Sequence, residues 1–97
     1  MGDTRLDEKT LDDILFSAGI DPEETWRLIL WNDDVNSFEW VIVCLIKFLQ
    51  FSPEKAEQSA YTVHLQGKDI IKTGTKESLE PYKKILEECG LTLTIEQ

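Results

Sequence analysis

Apolar and polar positions alternate along the chain in two rhythms, and the changes of rhythm mark the elements. Trp26-Arg27-Leu28-Ile29-Leu30-Trp31 is rich in strand-favouring residues and has the length of a central strand. Asn32-Asp33-Asp34 stops it, because these short polar side chains bond to nearby backbone and favour turns. The apolar run that follows is interrupted only by Glu39, Lys47 and Gln50, which predicts a helix from about Ser37 to Gln50. Asn36 is placed to cap it, with Glu39 at the capping-box position. A helix apolar nearly all round needs cover on more than one side, from the domain or from a ligand or partner. Ser52-Pro53-Glu54 starts a second helix, with Ser52 as cap and Pro53 where a missing N–H costs little. Its Ala56, Ala60 and Val63 make a narrow face of small residues, and Gly67 ends it, leaving His64 in the last turn.

Lys68 to Thr73 reads as a second strand with a turn at Gly74. Leu79, Tyr82, Ile85 or Leu86, and Cys89 mark a third amphipathic helix that stops at Gly90. Proline suits only the first turn of a helix, so Pro81 places the regular start near Ser78. Leu91-Thr92-Leu93-Thr94-Ile95 alternates as a strand with one face on a core. The order is β-α-α-β-α-β, an α+β fold: a small three-stranded antiparallel sheet with three helices on one side.

Charge changes this picture at one end. Of a net charge of −9, residues 1–25 carry −6, with eight acids against Arg5 and Lys9. They are expected to form an acidic, mobile N-terminal extension in which Leu11, Ile14, Leu15 and Phe16 make at most one amphipathic turn. Residues 26–97 are the expected folded core, and 97 residues fit one domain. The acidic balance argues against nucleic acid and against anionic membrane surfaces as partners. The longest apolar run, Trp40 to Ile46, is far short of the roughly 20 residues that span a bilayer. The first residues lack the order of a signal peptide, and Cys44 and Cys89 show no zinc or Cys-x-x-Cys spacing. They read as two buried thiols in a reducing compartment.

Catalytic chemistry is not evident. A single histidine, no Gly-x-Ser-x-Gly and no Gly-rich loop before a helix leave neither an activated nucleophile nor a phosphate cradle. Asp33, Asp34 and Asn36 resemble the start of a calcium loop, but the required glycine and the later glutamate are missing. A binding module without cofactor or metal remains.

Two segments stand out. Leu28-Ile29-Leu30-Trp31-Asn32-Asp33-Asp34 is followed by Phe38-Glu39-Trp40-Val41-Ile42, and then by Val63-His64-Leu65-Gln66-Gly67-Lys68. In these residues, and over about 26–97, the chain resembles the ClpS family, the adaptors of the Clp AAA+ protease in the N-degron (N-end rule) pathway. The resemblance implies a non-enzymatic, monomeric adaptor in the bacterial cytoplasm. Such an adaptor binds the free α-amino group and bulky first side chain (Phe, Tyr, Trp or Leu) of a substrate protein. It then docks on the N-terminal domain of a Clp chaperone, to which the substrate passes.

A protonated α-amino group is a compact cation with three donors, so it needs acceptors and nearby negative charge. The resemblance assigns this to Asn32, Asp33, Asp34 and His64. Asn32 offers a carbonyl, neutral His64 a ring nitrogen and Asp34 charge, while Asp33 orients neighbours or contacts peptide backbone. The wall of the hydrophobic pocket is assigned to Asn36, Phe38, Val41, Ala60, Val63 and Leu91. Phe38 and Ala60 stand where the best-known members carry methionines, and Asn36 where threonine is usual. Chaperone docking falls on Glu77, with Tyr82 and Lys83 near a position where the family has lysine. Residues 68–97 also resemble the C-terminal domain of the ribosomal stalk protein, an interaction module of similar fold, through Tyr82 to Gly90. That alternative leaves Asn32-Asp33-Asp34 and His64 without a role.

Overall fold

A computed structural model of the protein describes residues 25–97. The acidic extension and its amphipathic turn lie outside the described residues, Thr25 excepted. The elements follow in the order β1 (Trp26–Trp31), α1 (Phe38–Leu49), α2 (Pro53–Gln66), β2 (Lys68–Gly74), α3 (Lys76–Glu88) and β3 (Thr92–Glu96). β1 is the central strand, antiparallel to β2 on one side and β3 on the other. The α+β order read from the sequence is the one observed.

Alternation explains the layering. Leu28 and Leu30 of β1 and Leu93 of β3 point into one core with Leu45, Val63 and Leu86 from the three helices. On β2 the register slips between Leu28 and Ile29, so Lys72 and Ile70 oppose them and Ile71 is the extra residue. This bulge turns Ile71 into the core and leaves its neighbour Ile70 half exposed. On the far face, Trp31 Nε1 donates to Thr94 Oγ1 at 2.8 Å and the Lys68 ammonium lies 5.1 Å from the Trp31 ring centroid.

Three details differ from expectation. The cap of α1 is Ser37, whose Oγ accepts from Trp40 N–H at 3.0 Å; Asn36 is engaged elsewhere. α3 starts at Lys76, two residues before Ser78, because Thr75 Oγ1 accepts from Ser78 N–H at 3.1 Å and supplies the cap. Pro81 therefore sits inside the helix on its exposed side and forgoes one backbone bond there. Third, α1 is covered on one side only. Cys44 and Leu45 are buried, but Trp40, Val43 and Ile46 remain exposed, because three helices on one sheet face provide no second layer.

The thiols differ as well. Cys44 is buried, whereas Cys89, at the end of α3, is only half buried. Burial, with the neighbouring Cys89 thiol adding to it, pushes the Cys44 thiol up to about 12. The narrow face of α2 is divided: Ala56 packs into the core, whereas Ala60 lines a cleft.

Candidate functional site

The end of β1, the start of α1 and the last turns of α2 meet at one edge of the domain. There they enclose a cleft of about 260 Å³ lined by Asn32, Asp33, Asp34, Asn36, Ser37, Phe38, Val41, Ala60, Val63 and His64. Nine of the ten residues assigned from the sequence to amine or side-chain binding are among them. The tenth, Leu91, lines a small adjoining hollow with Leu30, Trp31, Val41 and Val63. Ser37 is the addition, and its hydroxyl is occupied by the cap of α1.

The local sequence makes this edge rigid. Asp33 Oδ1 accepts from the backbone N–H groups of Val35 and Asn36, both at 2.9 Å, an arrangement that closes the turn after β1. The Asn36 amide donates to Asp33 Oδ2 at 2.9 Å and to the Gly90 carbonyl at 2.7 Å. Thr92 Oγ1 donates to Asp33 Oδ2 at 3.2 Å, and Trp40 Nε1 donates to the Cys89 carbonyl at 2.9 Å. The turn and the start of α1 are thus tied to the α3–β3 connection at three points, two from the turn and one from Trp40. Partial burial pushes the Asp33 carboxyl up, but the donors from Asn36, Val35 and Thr92 outweigh it and hold the group below its ordinary 3.8. The carboxylate stays ionised and faces the cleft with its bonds already made.

The opposite wall is fixed by Gly67. It caps α2 in the left-handed region at φ 92°, which glycine adopts without strain. Its carbonyl accepts from Asn32 N–H at 2.9 Å. That bond draws the last turn of α2, and with it His64, against the end of β1. Asn32, Asp34 and His64 are all exposed, and no hydrogen bond within the described residues occupies their side chains. They are free polar groups above an apolar floor of Val41, Ala60 and Val63.

Phe38 forms a side wall. Its ring meets that of Tyr61 edge-on, centroids 4.9 Å apart and planes at 67°. Nothing in the sequence distinguished Tyr61; it falls beside Ala60 on α2, and only the packing of α1 on α2 pairs it with Phe38. The residues assigned to chaperone docking lie on α3. Glu77 is exposed in its first turn, the Tyr82 ring is half buried beneath the Lys72 ammonium at 4.8 Å, and Lys83 pairs with Glu87 at 2.9 Å.

A second, wider groove of about 520 Å³ runs between α2 and β2, lined by Ser52, Glu54, Lys55, Gln58, Ser59, Thr62, Asp69 and Ile70. Ile70 is its one apolar side chain, and the rest of its lining is polar or charged. The smaller cleft is the one that combines an apolar base with free polar groups, the arrangement that binding sites use. Among the described residues there is no group of three or more His, Cys, Asp or Glu able to hold a metal. None of their helices is long and apolar enough to cross a membrane.

Comparison with known proteins gives the fold a family. A family model described as "ATP-dependent Clp protease adaptor protein ClpS" matches residues 21–94. A Clp protease adapter protein ClpS of Corynebacterium glutamicum is 33% identical over 72 residues, covering 74% of this chain and 72% of its own length. The ClpS of Mycobacterium tuberculosis is 32% identical over 82 residues, covering 84% and 81%. Among solved structures, Agrobacterium tumefaciens ClpS2 bound to L-phenylalaninamide superimposes with a TM-score of 0.65 at 22% identity, over 75% of this chain and 95% of that one. At that identity the structure speaks for the fold, and the family model and the relatives speak for the kinship: the chain belongs to the ClpS family of Clp protease adaptors.

Proposed function

We propose that the cleft captures the free N-terminus of a substrate polypeptide, with its first side chain inserted on the apolar floor and its α-amino group held at the rim. The observation that carries this reading is the coincidence of free Asn32, Asp34 and His64 with a small apolar base. A cleft of about 260 Å³ is below the roughly 300–1,000 Å³ of sites that hold drug-sized molecules. One side chain and its amine fit that scale. The ligand of the Agrobacterium tumefaciens protein, L-phenylalaninamide, is itself a free α-amine on a phenylalanine side chain.

The energetics need both parts. Burying a Phe or Leu side chain contributes about 1.5–3 kcal/mol. Each hydrogen bond from the ammonium to Asn32 or His64 adds about 1.5–3 kcal/mol, against several kcal/mol lost on association. The balance falls near micromolar affinity. In this arrangement Asn32 accepts through its carbonyl, neutral His64 through a ring nitrogen, and Asp34 supplies charge. Asp33 orients the turn and keeps the site negative. The expected first residues are Phe, Tyr, Trp and Leu. The adaptor then docks on the N-terminal domain of a Clp AAA+ chaperone through the exposed start of α3, led by Glu77 with Tyr82 and Lys83 behind it, and the acidic extension takes part in handing the substrate over.

Two labelled peptides, identical except that the N-terminal Phe of one is acetylated, test this directly. Micromolar binding of the free amine and none of the acetylated peptide is the expected result. Equal binding of the two would mean that the cleft reads hydrophobic peptide without the amine and would overturn the assignment of the rim.

A further inference from the structure

We infer that Tyr61, which does not line the cleft, selects among first side chains by holding the Phe38 ring in place; the inference rests on the cleft being an N-terminal residue pocket. Phe38 is the first residue of α1 and forms the side wall at the mouth of the cleft. Of the cleft-lining residues that α2 contributes, Ala60, Val63 and His64, none makes a ring pair with Phe38 among the described residues. Its ring partner lies outside the cleft lining. The Tyr61 ring meets Phe38 edge-on at 4.9 Å and 67°, and this is the one aromatic pair that Phe38 makes among the described residues. Tyr61 is itself 53% exposed, and within the described residues neither its ring nor its hydroxyl has any other recorded partner. A large aromatic side chain so placed on a helix surface has this contact as its main structural employment.

The consequence is a stiff, flat wall. A side chain unbranched at Cβ, such as Phe, Tyr, Trp or Leu, can lie along the ring and reach the floor of Val41 and Val63. A β-branched side chain, Ile or Val, carries its second substituent at the level of the mouth. It requires the wall to yield, because branching at Cβ leaves few χ1 alternatives. With Tyr61 in place, Phe38 cannot change rotamer without losing its partner. Without Tyr61 it can, and the mouth widens. Tyr61 is therefore a positioning residue that acts through Phe38.

The test is a titration of the full chain, as wild type and as Tyr61→Phe, Tyr61→Ala and Tyr61→Leu, with free-amine peptides beginning with Phe, Leu, Ile or Val. Tyr61→Phe keeps the ring and should keep the wild-type ranking. Tyr61→Ala should narrow the ratio of Phe to Ile affinity by about three- to tenfold, the range in which aromatic pairs contribute. Tyr61→Leu keeps helix propensity and apolar bulk without the ring edge, and should narrow the ratio even if the alanine variant folds poorly. In a Phe38→Ala background, replacing Tyr61 should no longer change the ratio, because the residue it positions is gone. An unchanged Phe to Ile ratio in both ring-deleting variants, or an equal loss for all four peptides, would overturn the inference while leaving the N-terminal reading intact. Failure of the wild type to bind any free-amine peptide would bring down both.

Discussion

Asp33 and Asp34 are adjacent carboxylates in one turn. Asp33 accepts from two backbone N–H groups, the Asn36 amide and the Thr92 hydroxyl. Asp34 accepts from nothing among the described residues. The two asparagines of the same turn divide in the same way. Asn36 spends its amide on Asp33 and Gly90, whereas only the backbone N–H of Asn32 is engaged. Chemically equal side chains thus do different things: one pair builds the turn, and the other is unbonded among the described residues and, in the proposed function, meets the ligand. Preorganisation of this kind matters because a rim that must be ordered on binding loses affinity to that ordering.

Substitutions should separate the two pairs. Asp33→Ala strands several donors at once and loosens the turn, so both stability and binding should suffer. We expect a loss of about 2 kcal/mol in a denaturant titration and at least a tenfold loss of peptide affinity. Asp34→Ala and His64→Ala should each weaken free-amine binding about five- to tenfold with an unchanged melting temperature, the loss at Asp34 shrinking in high salt. If Asp34→Ala lowers the melting temperature as much as Asp33→Ala does, the division is wrong. Gly67→Ala, which forces φ 92° on a residue with a Cβ, should cost about 1 kcal/mol. Nothing lies within 4 Å of the added carbon, so that cost is conformational and not a clash.

Acid sharpens the same comparison. Because the folded protein holds the Asp33 carboxyl below its ordinary 3.8, it contributes stability that is fully present well above that value and lost as pH falls through the lowered one. Asp33→Asn should remove that part of the acid-side decline in thermal melts. The smallest expected effect is that of Thr92→Val, which deletes only the 3.2 Å bond to Asp33. It should lower stability by about 0.5 kcal/mol and affinity less than twofold.

Most of this architecture is legible in the residues. Periodicity located all six elements, and Ser52-Pro53 and Gly67 bounded α2 as read, because caps and breakers act locally. The misreadings arise where local signals compete. Asn36 and Ser37 are both good caps, and the choice went to Ser37 because Asn36 is drawn to Gly90, 54 positions away. The start of α3 was read from Pro81, although Thr75 supplied an earlier cap. The side chains of the cleft could be named from resemblance, but their division of labour could not. Whether Asp33 meets a ligand or the turn depends on Thr92 and Asn36 together, which is a property of the assembled edge. Tyr61 was invisible for the same reason, since its partner belongs to another helix.

The ties that hold the front of the cleft come from late in the chain. The Gly90 carbonyl and the Thr92 hydroxyl lie 54 and 59 positions beyond the groups they anchor. Synthesis runs from the N-terminus, so β1, α1 and α2 leave the ribosome before the segment that clamps the turn between them. A nascent copy that has made His64 but not Thr92 has every side chain proposed to meet the amine and lacks the bonds that brace the turn. The proposed capture of other N-termini therefore waits, in each new copy, for the segment that carries Gly90 and Thr92.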